Sequence, residues 1–348
     1  VELFPRGVSL AKQRIPVVLV AGFLGSGKTT LLNHLLNNTR GTRIGVVVND
    51  FGSVNVDAMS VAGMVGSMMS LENGCLCCSV DASGLDAVFD KLTRPGTDLD
   101  LIVVEASGLA EPRGLVRLVL ASGNPRIEYG GLIEVVDAVE FEATARKHPE
   151  FATQLPLADL VLLNKVDRLP DAEHVLETVR AHAGATPVLP TVNAAIDPEL
   201  LFDTGGVRKH EGTAPRQLSF DDLREDDCGE HAHAAYQSLV FSVDGAVHPR
   251  RFAEFLENRP PGLYRMKGTV YFGVTGYRDR YLLHTVGGYV RLTARRWDAS
   301  ARRATELVLI GAGIDADELR ERLGSCEETE PEDVDPQNML PVLRYAES

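Results

Sequence analysis

At 348 residues, with 44% apolar and 24% charged side chains, the chain has the make-up of a folded globular protein long enough for two domains. No apolar run approaches the ~18 residues that cross a bilayer, and a formal charge of −14 disfavours a phosphodiester partner. Neither membrane nor nucleic acid is expected as a partner, although Arg291, Arg295, Arg296, Arg302 and Arg303 form a basic patch that offers a local contact surface. The opening Val1-Glu2-Leu3-Phe4-Pro5-Arg6 lacks the charged-then-apolar order of a signal peptide, so a cytoplasmic protein is expected.

In chain order, residues 1–14 read as an extension and residues 15–21 as a buried, β-branched strand. Gly22-Phe23-Leu24-Gly25-Ser26-Gly27-Lys28-Thr29 follows, and Leu31, Leu32, Leu35 and Leu36 then recur at helical spacing. This is the Walker A pattern in its strand-turn-helix setting. Glycines let successive N–H groups close around phosphate oxygens, and the helix N-terminus adds partial positive charge there. Gly25, Ser26, Gly27, Lys28, Thr29 and Thr30 are the candidate nucleotide contacts, with Lys28 reaching the β/γ-phosphates and Thr29 ligating Mg²⁺.

Further apolar runs at 42–48, 99–105, 132–137 and 160–164 alternate with helical patterns. They predict an α/β P-loop NTPase domain over 15–203, a mainly parallel sheet flanked by helices with ligands at the carboxyl ends of its strands. The run at 99–105 ends in Glu105, three residues before Gly108. Glu105 is expected to order Mg²⁺ or its water, and Gly108 to donate its N–H to the γ-phosphate. Asn164-Lys165-Val166-Asp167 closes the fifth run, and its Asp167 carboxylate can accept from both the ring N–H and the exocyclic amine of guanine, which selects GTP over ATP. Asn193 is the candidate last base contact. No arginine finger stands out, so slow intrinsic turnover of GTP to GDP and phosphate is expected.

Between the second and third runs lie Cys75, Cys77 and Cys78, three of five cysteines in a sequence with no disulfide pattern. Thiolates suit Zn²⁺, Cu⁺ and cobalt, and three of them leave one position open on a tetrahedral ion. A buried group of small apolar side chains and a redox site are the competing readings. A second group, Cys228, His231 and His233, is read equally as ligands or as a solvated loop, while His34, His248 and His284 read as packed or exposed.

Residues 204–235 lose periodicity and gain charge, which marks a linker. Strand patterns at 236–243, 269–274, 280–285, 289–297 and 305–310, with helices around 252–256 and 315–323, predict a smaller α+β domain over 236–325 built on an antiparallel sheet. The acidic segment 326–348 is expected to be mobile.

The order of Walker A, Cys-x-Cys-Cys, Glu-x-x-Gly and Asn-Lys-x-Asp resembles the CobW family of P-loop GTPases, relatives of the cobalamin-synthesis and nickel-insertion GTPases. Asn49-Asp50-Phe51-Gly52 looks like that family's N-E-F-G switch, Glu105-Ala106-Ser107-Gly108-Leu109-Ala110-Glu111-Pro112 like its E-x-[ST]-G-L-A-[DE]-P, and Leu263 to Gly268 like the K-G segment of its carboxy-terminal domain. The resemblance implies a GTPase metallochaperone that carries zinc, with cobalt as the alternative, to a client metalloprotein. By the same resemblance Asp50 joins Thr29 and Glu105 at Mg²⁺ and joins Cys75, Cys77 and Cys78 at the transition metal. The switch departs from the family at Asp50 and at Ser53, where an acidic residue is usual, and keeps Asp57. Alternatives are a GTP-regulated binding or remodelling module with a structural or redox cysteine site, and a homodimer is allowed.

Overall fold

The computed structural model describes residues 14–37, 43–48, 68–70, 82–97, 99–106, 112–201, 237–297 and 301–347. The apolar runs become the strands of one seven-stranded sheet. These are β1 (Ile15–Ala21), β2 (Ile44–Val48), β3 (Met68–Ser70), β4 (Leu101–Glu105), β5 (Ile127–Asp137), β6 (Leu160–Asn164) and β7 (Val188–Thr191), in the order β3-β2-β4-β1-β5-β6-β7 with every pair parallel. The strands are apolar along their length because helices cover both faces of a parallel sheet.

On one face α1 (Lys28–Asn37) seats Leu31, Leu32 and Leu35 against Val18, Val20, Val103 and Ile133. On the other face lie α2 (Ala82–Leu92), α3 (Pro112–Leu120), the short α4 (Phe141–Lys147) and α5 (Pro149–Gln154), and α6 (Ala172–Ala183), contributing Phe89, Leu115, Phe141, Phe151 and Val179 to a second core. Asp171 caps α6 by accepting from the His174 N–H, and Gly184 at φ 64° ends it.

Strand order reverses at β1. The chain leaves β1 toward β2 and returns from β4 to β5 on the other side, so the turn after Ala21 opens into the crevice between the ends of β4 and β5. Ligands of open parallel sheets bind at such a point. Strand β5 starts five residues earlier than its apolar run, because Glu128, Gly130 and Gly131 interrupt the pattern. Its pairing with β1 shifts register between Val17 and Val18, opposite that glycine pair.

The second unit is a six-stranded sheet in the order β15-β12-β11-β10-β13-β8. Its members are β8 (Gln237–Val243), β10 (Leu263–Tyr271), β11 (Arg280–Val286), β12 (Tyr289–Arg295), β13 (Thr305–Gly311) and β15 (Ala346–Glu347). All neighbours are antiparallel except the short β12–β15 pair. A separate two-stranded piece joins β9 (Ala246–Val247) to β14 (Glu327–Glu328). Helices α7 (Pro249–Glu257), α8 (Ala316–Gly324) and α9 (Leu340–Leu343) cover a core of Phe252, Met266, Phe272, Leu309 and Leu323. The expected mobility of the acidic end is corrected here for residues 326–347. Met339 and Val342 are fully buried in that core, and Tyr345 O accepts from the Leu292 N–H. Charge counts masked two anchoring side chains.

The two sheets meet along the start of β5. Gly131, at φ 116°, lies so close to the second sheet that a Cβ would come within 2.6 Å of Val286 Cγ1 and 3.2 Å of the Tyr264 hydroxyl. Arg291 donates to Glu128, and His284 Nε2 lies 3.3 Å from Tyr129 O. Asp159 accepts from the Tyr129 hydroxyl at 2.5 Å and from Leu132 N at 2.8 Å, and also from Gly288 N in the β11–β12 turn. Burial raises the Glu128 and Asp159 carboxyls and, with Arg265 and Arg291 nearby, lowers His284 to about 3, so this histidine is neutral.

Candidate functional site

The turn after β1 takes the shape its glycines permit. Gly22, Gly25 and Gly27 have φ of 143°, 76° and 113°. A Cβ on Gly22 would meet Val135 O at 2.3 Å, and one on Gly27 would meet Asn164 Nδ2 at 2.3 Å, so neither position has room for a side chain. Gly25 has open space around its Cα and needs glycine for its backbone angle alone. The loop exposes Leu24, Gly25, Thr29 and Thr30 while burying Ser26, whose hydroxyl has no hydrogen-bond partner among the described residues. An orphaned buried hydroxyl in a glycine cradle at a helix N-terminus fits a phosphate-binding turn.

Lys28 Nζ donates to Gly22 O at 2.9 Å and Phe23 O at 3.1 Å. Burial lowers its pKa, against the attraction of Glu105 and Glu134. Glu105 ends β4 in register with Val20, as the sequence places it. Glu134 was not singled out by sequence. It sits in the middle of an apolar run, paired with Ala21 on β1, and is fully buried; burial raises its carboxyl to about 8, opposed by Lys28. A charged residue inside a run otherwise fit for a buried strand was the signal that could have found it.

The Asn164–Asp167 segment is brought onto the same turn. Asn164 is 2% exposed; its Nδ2 donates to Ser26 O at 2.9 Å, and its Oδ1 accepts from Ala194 N at 2.7 Å. Lys165 adopts φ 66° and donates to Gly25 O at 2.7 Å and to Asp137 Oδ2 at 2.5 Å. Asp167 lies exposed in a 3₁₀ turn, Val166–Arg168. Asn193 is exposed at φ 52°, followed by buried Ala194 at φ 51°. The Asn164 and Lys165 side chains thus tie this segment to the glycine turn over buried Ser26, with Thr29, Thr30, Asp167 and Asn193 left exposed.

Asp50, Gly108, Cys75, Cys77, Cys78, Cys228, His231 and His233 lie outside the described residues. Among the described residues no group of three or more His, Cys, Asp or Glu could hold a metal. The lone histidines pack as expected: His34 Nε2 contacts Ile196 O at 2.7 Å, and His248 caps α7. In the basic patch, Arg291 turns inward to Glu128, while Arg302 pairs with Asp244 and Arg303 lies over the Tyr271 ring. No helix among the described residues is long and apolar enough to cross a membrane.

Comparison with known proteins gives two domain matches. Residues 16–190 match the CobW/HypB/UreG nucleotide-binding domain, and residues 236–327 match the cobalamin synthesis protein CobW C-terminal domain. The chain is 30% identical over 321 residues to the zinc chaperone YjiA of Escherichia coli, covering 88% of this chain and 96% of that protein. It is 33% identical over 356 residues to the zinc chaperone CobW of Pseudomonas aeruginosa, covering 89% and 92%. Among solved structures, the Zn(II)-bound YjiA GTPase from E. coli aligns at 26% identity with a TM-score of 0.44, covering 91% of this chain and 100% of that one.

Proposed function

Since the chain belongs to the CobW/HypB/UreG family and is a P-loop GTPase, we propose that it is a metallochaperone that binds Zn²⁺ at Cys75, Cys77 and Cys78 and yields it to a client metalloprotein under control of GTP. The observation that supports the reading is the hydrogen bond from Asn164 Nδ2 to Ser26 O, which ties the Asn164–Asp167 segment to the glycine turn that holds Lys28, in a chain similar over most of its length to the zinc chaperones YjiA and CobW.

In this reading the main-chain N–H groups of residues 25–30 hold the phosphates, and Lys28 exchanges its loop carbonyls for β/γ-phosphate oxygens. Asp167 and Asn193 face the guanine. The Thr29 hydroxyl and the Glu105 and Asp50 carboxylates are oxygen donors that suit Mg²⁺, which would neutralise charge between the β- and γ-phosphates. Gly108 senses the γ-phosphate, and the cysteines lie between this loop and the Asp50 segment in sequence. Nucleotide and metal thus bias one switch, and linkage requires that GTP change metal affinity by the factor that metal changes GTP affinity.

The test is a titration of the reduced, metal-free protein with Zn²⁺ and Co²⁺ against a competing chelator, with and without a non-hydrolysable GTP analogue. The expected result is stoichiometric Zn²⁺ binding that tightens with nucleotide and is lost in Cys77→Ala. Zn²⁺ affinity indifferent to nucleotide would sink the gated delivery and favour a structural clip. Activity that follows thiol oxidation and ignores metal would favour the redox site, and tighter nucleotide-linked Co²⁺ would change the cargo.

A further inference from the structure

We propose that Asp137 is a positioning residue for guanine-nucleotide binding, holding Lys165 as a strut between the base-reading segment and the phosphate loop. The inference rests on the reading of the glycine turn and the Asn164–Asp167 segment as one nucleotide site. Asp137 is the last residue of β5 and the register partner of Asn164 on β6, so both side chains leave the same edge of the sheet. Its two oxygens have separate duties. Oδ1 accepts from Val139 N at 3.0 Å, which fixes the carboxylate plane, and Oδ2 accepts from Lys165 Nζ at 2.5 Å.

Lys165 in turn donates to Gly25 O at 2.7 Å. Its backbone occupies the left-handed region at φ 66°, which a residue with a long side chain adopts only where its surroundings over-determine it. Here the ammonium is held at two points, one on β5 and one in the phosphate loop. The pair is mostly buried, at 22% and 16% side-chain exposure, so solvent screens it only in part. Asn164 makes the parallel link to Ser26 O. With both struts in place the two loops that must grip base and phosphates keep one spacing before ligand arrives, and a site ordered in advance spends less of its contact energy on ordering. Asp137 touches neither reacting atom in this scheme, and its effect falls equally on GTP and GDP.

The experiment measures GTP and GDP dissociation constants, KM and kcat for the full chain and for Asp137→Asn, Lys165→Met and the double variant, with thermal unfolding of each nucleotide-free protein as a fold control. Asp137→Asn should weaken both nucleotides by the same factor, about ten-fold. KM should rise with it and kcat at saturation should move less than two-fold. The double variant should bind no worse than Lys165→Met alone. Equal affinity in Asp137→Asn, a loss for GTP alone, or losses that multiply in the double variant would each overturn the strut. Should Asp137→Asn fail to fold, Lys165→Met must still reproduce the equal loss for both nucleotides, and a loss confined to one would overturn it. Asp167→Asn tests the underlying site separately. Its amide can donate to the 2-oxo group of xanthine, so preference should shift from guanine to xanthine nucleotides; retained guanine preference would remove the site assignment and the strut with it.

Discussion

The two ends of β5 handle buried polar groups in opposite ways. At its start, the Glu128 carboxylate accepts from Arg291 across the two sheets, and the Asp159 carboxylate accepts from Tyr129 and Leu132 within the first, so each of these carboxylates is met by a donor of the chain itself. At its finish, Glu134 and the turn beside it hold a raised carboxyl, a lysine resting on loop carbonyls and a buried Ser26 hydroxyl with no hydrogen-bond partner among the described residues. Carboxylates met by donors of the chain itself make a joint, whereas a glycine cradle with a lysine resting on its carbonyls is arranged for an anion that arrives from outside. One strand thus carries both a structural seam and a binding edge, with Glu128 and Glu134 only six residues apart.

The largest effect should come from closing the binding edge itself. Gly27→Ala puts a methyl where Asn164 Nδ2 lies 2.3 Å away and forces φ 113° on a residue that resists it. GTP affinity measured by equilibrium titration should fall by about a hundred-fold or more, while urea unfolding of the nucleotide-free protein changes by ~1 kcal/mol. A loss of stability as large as the loss of binding would erase the distinction between the two ends.

Glu128→Ala is the counterpart at the seam. It leaves Arg291 and Arg265 buried without the carboxylate that balances them, and should cost about 3 kcal/mol in urea unfolding. GTP affinity should stay within two-fold. A matching drop in affinity would show that the strand transmits strain from joint to site.

The third test concerns Glu134 alone. Because burial raises its carboxyl to about 8, the folded, nucleotide-free protein holds a proton there that the unfolded chain has already released. Stability is therefore full below the ordinary glutamate range and declines as pH rises to about 8. Glu134→Gln should flatten that decline and be the more stable protein at pH 8, by on the order of a few kcal/mol. Parallel pH profiles for both proteins would mean the carboxyl is ionised throughout.

The binding edge was the more legible end, because its chemistry is local. Glycine spacing, Lys28, Thr29 and the Asn164–Asp167 run are contiguous words whose meaning needs only the strand before and the helix after. The seam needs residues from 128 to 291 to be placed together, and nothing in the local sequence around Glu128 announces Arg291, which composition alone assigns to an outward basic patch. Its glycines also hid the first five residues of β5 by breaking the apolar run. Asp137 was visible as a strand end, and only its register with Asn164 reveals what it faces. Residues 326–347 misled for a related reason: their acidic composition outweighed Met339 and Val342, which are buried in the second core.

The close approach at Gly131 bears on how this architecture can be recombined. The second sheet rests on bare main chain, with Val286 and Tyr264 occupying the space a side chain would take and Asp159 filling the space beside Gly287. The C-terminal domain is consequently no interchangeable module. A chimaera that brings in a β11–β12 hairpin without the matching β5 glycines inherits a steric clash. One that keeps the glycines but loses the hairpin exposes a stretch of naked strand, so the two must be exchanged as a single cassette.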